Sequence, residues 1–270
     1  MNLSADKRRR KLNNEQLEVL DLLYKFRFGS NNLFAQYFGK KDRSFVHKRL
    51  SILLEHNLIG KRFEPGYRLQ GRPAAYYLTP EGARTLSEIR TIDINPKKIY
   101  KDKTVSESFV QHCMEIFAVH NQLRNTYSES LRFFTKTELS HEQYDYFPKP
   151  LPDAYMRLQV GSDEKQYFLE IIPGDQPFFV AARRITQYIK YQEDADWVVT
   201  ETPLPIILML CETEALAKRL QKRAIKALDD SWDADDVVFS FATKKVFFNG
   251  KQYAWRSADD PEVLKALEQL

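Results

Sequence analysis

Two acidic residues between Leu151 and Ile172 have the types and spacing of ligands for a divalent cation. Asp153 precedes one strand-like run, Glu170 lies inside the next, and the turn Gly161-Ser162-Asp163 joins the two runs. If the strands pair as a hairpin through this turn, the two carboxylates converge at one edge of a sheet. Carboxylates placed in this way can hold Mg²⁺ against a phosphate group. One candidate chemistry is therefore metal-dependent hydrolysis of a phosphodiester.

The same segment lacks the cation that such a site needs. Residues two apart in a strand share a face, so position 172 presents its side chain beside Glu170. Ile172 can neither orient water nor offset the charge of a phosphate, as a lysine would. Other parts of the chain offer Lys190 or Arg183 for this role, and Glu115 or Glu138 for a third metal ligand.

A structural interpretation of the two carboxylates competes with the catalytic one. Asp153 follows Pro152 and can accept a hydrogen bond from a nearby backbone amide. Glu170 can form a salt bridge with Arg157 across the hairpin, or with Arg183 on the next helix. We favour this structural interpretation, in which the part of the chain that contains the two carboxylates is a degenerate nuclease domain that needs no cofactor. The alternative is a Mg²⁺-dependent DNA endonuclease that uses Asp153, Glu170 and Lys190.

Length and composition predict a two-domain protein without a membrane span. The 270 residues exceed the usual single domain, and 43% of them are hydrophobic, which is enough for two cores. No apolar run approaches the roughly 18 residues that cross a bilayer, so we expect a cytoplasmic protein. Cys113 and Cys211 lie in apolar segments, which favours two buried thiols over a disulfide or a zinc site.

The charge is divided unevenly along the chain. The net charge is +4, but residues 1–103 contain 22 basic and 11 acidic side chains, whereas the remainder contains 19 basic and 26 acidic ones. The basic first part is the candidate for contact with a polyanion. Its arm, residues 1–12, carries the run Lys7 to Lys11, which would add affinity for a nucleic acid with little sequence information.

Residues 13–91 have the element order of a winged helix-turn-helix. Apolar spacing predicts helices over 15–28, 31–38 and 43–57, the third capped by Asp42. A strand, a Pro65-Gly66 turn and a second basic strand follow in "LIGKRFEPGYRLQ". A short strand then ends at Leu78, and a helix begins after Thr79.

In that fold the third helix enters the major groove of duplex DNA, and the wing contacts phosphates or the minor groove. The candidates for reading bases are Arg43, Ser44, His47, Lys48 and Arg49, and those in the wing are Arg62, Tyr67, Arg68 and Arg72. In the alternative interpretation, these are solvated charges on a domain that contacts proteins. His47 has no second ligand at metal-binding spacing, so a polar surface role is expected for it.

Residues 92–104 are predicted to be a linker, and residues 105–270 a second domain. Its predicted elements are a helix over 105–127, strands over 131–138, 154–160 and 166–172, a helix over 178–191, a buried strand over 205–211, a helix over 212–228, strands over 237–242 and 245–249, and a last helix over 261–270. The order of a helix, three strands, a helix and a strand is typical of the restriction-endonuclease-like PD-(D/E)xK core. The predicted fold class is therefore α/β (α+β) with two domains.

The motifs "QHCMEIFAVHNQLR", "LPDAYMRL", "YFLEI" and "ITQYIKY", in this order after a winged helix, give the chain a family resemblance. Over about residues 13–210 it resembles the replication-relaxation family of plasmid and mobile-element proteins. Relatives tend to place an acidic residue two positions after the strand glutamate, where this chain has Ile172.

The resemblance implies a double-stranded DNA-binding protein that is accessory to replication or mobilisation, or that regulates transcription. A relaxase or a replication initiator is the kind of partner it implies. A homodimer is also expected, because one winged helix covers a short site and two raise the effective concentration. A third possibility is a repressor whose second domain senses a ligand, although no motif identifies that ligand.

Overall fold

The computed structural model describes residues 12–270 except 64, 70, 95–98, 100, 141, 233, 235, 250 and 251. The chain divides into two compact units, residues 1–114 and 115–270, so the predicted two-domain α/β class is confirmed. The basic run Lys7 to Lys11 and the side chain of Arg68 lie outside what the structure describes.

The N-terminal unit is mainly helical and contains a small antiparallel sheet. Its strand order is β1-β3-β2, and β3 pairs with both neighbours. The elements are α1 (Asn14–Phe26), β1 (Phe28–Gly29), α2 (Asn31–Tyr37), α3 (Arg43–Glu55), β2 (Ile59–Arg62), α4 (Pro65–Leu69), β3 (Ala75–Leu78), α5 (Pro80–Arg90) and the first turns of α6 (Glu107–Tyr127).

Side-chain caps set the beginnings of these helices, as their sequences predict. Asn13 and Gln16 form a reciprocal capping box at the start of α1. Ser30 caps α2, Asp42 caps α3, and Thr79 caps α5 ahead of Pro80. Each cap binds an amide that would otherwise lack a partner within the helix, so the local sequence fixes where the helix begins.

The structure differs from the predicted wing between residues 65 and 69. The Pro65-Gly66 turn and the second basic strand are replaced by the short helix α4, and β2 pairs instead with β3. Proline fits the first turn of a helix, where its missing amide hydrogen is not needed. Tyr67 is 5% exposed, and burial of this ring favours the helical turn over a solvent-exposed strand.

Part of the predicted linker packs within the N-terminal unit. Asp102 is fully buried and pairs with Arg27 at the end of α1. Arg27 also stacks on Phe109, with 4.4 Å between the guanidinium carbon and the ring centroid. Burial raises the pKa of Asp102, and the Arg27 guanidinium opposes that shift.

The C-terminal unit is built on one six-stranded sheet. Its strand order is β4-β5-β6-β7-β8-β9; β6, β7 and β8 run parallel, and the outer pairs are antiparallel. The elements after α6 are β4 (Leu131–Thr135), α7 (Lys136–Leu139), β5 (Ala154–Val160), β6 (Asp163–Ile172), α8 (Phe178–Glu193), β7 (Ile206–Cys211), α9 (Glu214–Asp229), β8 (Phe239–Thr243), α10 (Lys244–Phe248) and β9 (Arg256–Ser257).

The predicted hairpin of β5 and β6 is present, with Val160 opposite Asp163 and Gly161 at a φ of +62°. This left-handed conformation is one that glycine adopts without strain. The apolar run that forms β7 is buried on both faces, as expected for a central parallel strand. Cys113 and Cys211 are both buried, as predicted.

Two predicted elements near the C-terminus are wrong. Residues 244–248 form the short helix α10 rather than a strand, because Thr243 caps the Val246 amide. Residues 261–270 form no α-helix; Lys265 pairs with Trp255 in an isolated β-bridge, and Leu267–Gln269 form a single 3₁₀ turn. Tertiary contacts therefore override the helical spacing of this segment.

No helix in the part of the chain that the structure describes combines the length and the apolar character needed to cross a bilayer.

Candidate nucleic-acid interface and carboxylate site

Helix α3 separates its buried and exposed residues cleanly. Val46, Leu50 and Leu53 are buried against the N-terminal unit. The opposite face is exposed and carries Arg43, Ser44, His47, Lys48 and Ser51. Spacings of three and four residues place these side chains on one helical surface. Four of the five residues predicted to read bases are therefore presented together to solvent.

Few hydrogen bonds hold the side chains on the exposed face of α3. The Ser44 hydroxyl donates to Asp42 Oδ2, and the Ser44 amide donates to Asp42 Oδ1 at 2.8 Å. These two hydrogen bonds lower the pKa of Asp42. His47 Nδ1 lies 3.4 Å from Ser51 Oγ. Arg43 and Lys48 are exposed long cations, suited to reach a phosphate or a base edge.

Arg49 differs from the other four candidates. Its Nε donates to Glu15 Oε2 at 2.7 Å, and its guanidinium stacks 3.3 Å from the Phe45 ring centroid. Arg49 Nη1 also donates to the Phe45 carbonyl oxygen, at 3.0 Å. Arg49 thus joins α3 to α1, so its guanidinium already has internal partners. Its predicted role in reading bases stays a prediction that would require exchange of these partners.

Two predicted wing contacts are also occupied within the N-terminal unit. Arg62 donates to the Val105 carbonyl at 2.7 Å and pairs with Glu107. The Tyr67 hydroxyl donates to the same carboxylate. Glu107 neutralises the charge of Arg62, and Tyr67 is buried, so both residues have structural roles in the N-terminal unit. Their predicted contacts with DNA stay predictions. Arg72 remains exposed, as predicted.

In the C-terminal unit the structure brings Asp153 and Glu170 into one buried network. Both residues are less than a tenth exposed. The Asp153 amide donates to the Leu169 carbonyl at 2.9 Å, and Asp153 Oδ2 accepts from the Ile171 amide at 2.8 Å. The predicted hydrogen bond from a backbone amide to Asp153 is therefore present.

A lysine contacts Asp153, but it is Lys136. Its ammonium lies 2.7 Å from Asp153 Oδ1. Burial acts to lower the pKa of Lys136, but the charges of Asp153 and Glu170 outweigh it and raise that pKa above the ordinary value. Lys190 and Arg183, the predicted donors, lie exposed on α8, and the cation that contacts Asp153 is Lys136 instead.

Glu170 pairs with Arg184 rather than with Arg157 or Arg183. Arg184 Nε donates to Glu170 Oε1 at 2.8 Å, and the Tyr188 hydroxyl donates to the same oxygen at 2.6 Å. Burial raises the pKa of the Glu170 carboxyl, which the Arg184 guanidinium opposes and the charge of Asp153 reinforces. Arg157 instead pairs with Glu164 across the hairpin at 2.6 Å.

Both proposed third carboxylates have other partners. Glu115 pairs with Lys244 at 2.9 Å, and Lys244 also binds Glu212. Glu138 accepts from the Thr135 amide at 2.8 Å as a helix cap. Among the residues that the structure describes, no group of three or more His, Cys, Asp or Glu side chains is arranged to hold a metal ion.

The strand register explains why sequence reasoning missed Lys136. Thr135 at the end of β4 lies opposite Ala154 at the start of β5, and the two strands are antiparallel. The residue after Thr135 is therefore next to the residue before Ala154. Lys136 therefore lies beside Asp153. The positions of Arg184 and Tyr188 do carry a signal in the local sequence, because residues four apart on α8 lie on the same face of the helix.

The buried network predicts a loss of stability in alkali. Burial and the Glu170 charge raise the pKa of Tyr188 well above its ordinary value, whereas an unfolded tyrosine releases its proton near pH ~10. Above that pH the folded state holds a proton that the unfolded state has lost, so the free energy of unfolding falls as pH rises. Lys136 acts in the same direction. The stabilisation that its charge provides is complete below about pH 10.4, the pKa of a lysine in an unfolded chain, and it is lost as the pH rises through the raised pKa of the folded state.

We expect Tyr188→Phe to reduce the slope of the free energy of unfolding against pH by about 1.4 kcal/mol per pH unit, which is the contribution of one proton. Urea unfolding between about pH 8 and about pH 12 measures it. The half-exposed Tyr253→Phe is the matched control and should keep the wild-type slope. An unchanged slope for Tyr188→Phe would contradict the assignment.

Comparison with known proteins identifies the family to which the chain belongs. The replication-relaxation family model matches residues 20–201, more than half of the chain, and the chain belongs to this family. Membership suggests a role in plasmid or mobile-element replication or mobilisation. No curated protein and no solved structure matches the chain significantly.

Proposed function

We propose that the chain is a sequence-specific double-stranded DNA-binding protein of a plasmid or mobile element. Its N-terminal unit acts as a winged helix-turn-helix that inserts α3 into the major groove. Its C-terminal unit acts as a degenerate PD-(D/E)xK-like domain without catalysis and contacts partners, among which a relaxase, a replication initiator and a second copy of the chain are the candidates. The bound site then directs replication or mobilisation, or regulates transcription.

The single observation that supports this proposal is the exposed face of α3. Arg43 and Lys48 supply charge, and Ser44 and His47 supply hydrogen-bonding groups that can match base edges. The helix is held by its buried face and by the Arg49 contacts to α1, so the exposed side chains are carried on a rigid support. The basic excess of residues 1–103 favours a polyanion as its partner.

The proposal is tested by finding the DNA that the protein selects. Fragments of the host element are incubated with the purified full chain, the bound fragments are sequenced, and the recovered site is used in gel shifts against random duplex. We expect one recurring site that binds at least about a thousandfold more tightly than random DNA at physiological salt. Recovery of fragments without a shared site would contradict sequence-specific binding.

Arg72 is expected to contact phosphate rather than bases. Arg72→Ala should weaken binding to the selected site and to random duplex by the same factor. It should also reduce the slope of log affinity against log salt by about 0.9, the value for one lost phosphate contact. Titrations over a salt series measure both effects. Lys222→Ala, an exposed lysine in the C-terminal unit, is the control and should leave the slope unchanged.

A metal-dependent endonuclease is the second candidate, and the contact between Lys136 and Asp153 is the observation that favours it. A lysine beside a carboxylate is the combination that such chemistry uses. The donor set fits a divalent cation poorly, however, because Lys136 and Arg184 each neutralise one carboxylate. A metal would have to displace these cations, and only two carboxylates would remain as ligands.

Incubation with supercoiled plasmid and Mg²⁺ or Mn²⁺ separates the two candidates. We expect the plasmid to stay supercoiled, because the carboxylates are held by internal cations. Nicking that disappears in both Asp153→Ala and Lys136→Ala, while the exposed Lys190→Ala variant still nicks, would establish the endonuclease and overturn the non-catalytic role.

A further inference from the structure

Four apolar side chains are exposed along one edge of the large sheet. Val198 and Val199 lie in the connection before β7 and are 70% and 68% exposed. Trp232 and Val238 lie in the connection before β8, and Trp232 is fully exposed while Val238 is 40% exposed. We call this set the Trp232 edge. The other two tryptophans, Trp197 and Trp255, are buried, so an exposed tryptophan is an exception within this chain.

The topology brings the two connections together. Because β6, β7 and β8 are parallel, α8 and α9 each return the chain to the edge where the next strand begins. Ser231 Oγ donates to Glu193 Oε1 at 2.8 Å, which joins the ends of the two helices. The Ile207 amide donates to the Val238 carbonyl at 2.8 Å, which joins the strand beginnings. The two connections that carry these four exposed residues therefore lie side by side at one edge of the sheet.

Acidic side chains surround this surface. Two exposed lysines, Lys190 and Lys226, stand in the last turns of α8 and α9. Against them, the described and exposed acidic residues of the same two connections are Glu193, Asp194, Asp196, Glu201, Asp229, Asp230 and Asp236. The Trp232 edge thus combines an apolar centre with a strongly negative rim. An apolar centre inside a polar rim is the usual layout of a protein interface.

The charge of the rim selects the kind of occupant. DNA is excluded, because its phosphates would meet the carboxylates at close range. A second copy docked through the same edge is disfavoured, since a twofold interface would set one acidic rim against the other. A basic segment with apolar side chains satisfies both features: its cations pair with the rim, and its apolar groups cover Trp232.

We propose that the Trp232 edge is a docking surface for a Lys/Arg-rich, partly apolar segment of a partner protein. This surface lies in the C-terminal unit, and its occupation does not require DNA binding by α3. It gives the partner contacts proposed for this unit a definite location and a definite chemistry.

Trp232 itself reports on the docking. A short synthetic peptide of Lys, Arg and Leu, without tryptophan, is titrated into the full chain in the absence of DNA. We expect the tryptophan emission to shift to shorter wavelength and acrylamide quenching to fall, because the only fully exposed indole becomes covered. A peptide with serine in place of leucine, and one with glutamate in place of the basic residues, should produce neither change.

Variants assign the binding to this edge by anisotropy of the fluorescein-labelled peptide. Trp232→Ser should weaken binding at least about thirtyfold, as expected for a central interface aromatic. Phe248→Ser is the matched control: it removes an aromatic side chain that is 41% exposed, in α10, which follows the opposite end of β8. It should bind like the wild type, and thermal unfolding confirms that both variants fold.

Three results would overturn the proposal: no change in Trp232 emission, equal binding of the acidic peptide, or unchanged affinity of Trp232→Ser. Sedimentation gives a fourth, because a dimer of the wild type that Trp232→Ser dissociates would assign the edge to self-association. Gel shifts of Trp232→Ser with the selected DNA should match the wild type. Failure of peptide docking is thereby distinguished from failure of the DNA-binding function.

Discussion

The double variant Arg43→Ala/Lys48→Ala is expected to bind the selected duplex about a hundredfold more weakly than the wild type, from two contacts of about 1–3 kcal/mol each. Both side chains extend from the exposed face of α3, so their removal deletes contacts and leaves the buried face intact. The loss should be larger on the selected site than on random DNA if either residue reads a base.

The matched control is Lys222→Ala/Lys226→Ala, which removes the same charge from exposed positions of α9. Its affinity should stay close to that of the wild type. A second comparison uses Arg49→Ala, whose guanidinium is bound to Glu15 and stacked on Phe45. We expect Arg49→Ala to lower the stability of the N-terminal unit. If Arg43→Ala/Lys48→Ala binds like the wild type, α3 is not the reading helix.

Arg184→Met is expected to destabilise the C-terminal unit by about 3–5 kcal/mol, because it leaves a buried carboxylate without its cation. Arg184 and Glu170 are each less than a tenth exposed, and the pair is completed by the Tyr188 hydroxyl. The double variant Arg184→Met/Glu170→Met removes both charges, and we expect it to recover most of the lost stability.

Urea unfolding measures this effect, and the pair Arg157 and Glu164 provides the control. That pair has a similar distance, 2.6 Å, but both side chains are about a third exposed. Arg157→Ala should therefore cost only about 0–1 kcal/mol. If Arg184→Met were as stable as the wild type, the network would not hold the fold together, and a role in chemistry would become the better explanation.

The elements that sequence reasoning predicted well carry local signals. The caps at Asn13, Ser30, Asp42 and Thr79 lie next to the helices they begin, and the β5–β6 hairpin is marked by its glycine turn. A cap accepts a hydrogen bond from an amide two or three residues away, so both partners lie within one short stretch of the sequence. The exposed face of α3 follows in the same way from the spacing of its apolar residues.

Most of the features that sequence reasoning missed depend on partners far away in the chain. Arg49 and Glu15 are 34 residues apart, and Arg62 and Glu107 are 45 apart, so spacing alone cannot show that these cations are occupied. Lys136 reaches Asp153 only through the β4–β5 register. The segments 244–248 and 261–270 follow a local cap and a bridge to Trp255, respectively, in place of their apparent periodicity.

Site-specific photo-crosslinking tests most directly whether α3 contacts the bases of the selected site. A photoreactive amino acid replaces His47 in one variant and Lys222 in another, and each is irradiated with the selected duplex. We expect crosslinks to bases inside the site from position 47 and none from position 222. Crosslinks from position 222 alone would contradict this expectation, because the C-terminal unit would then hold the DNA.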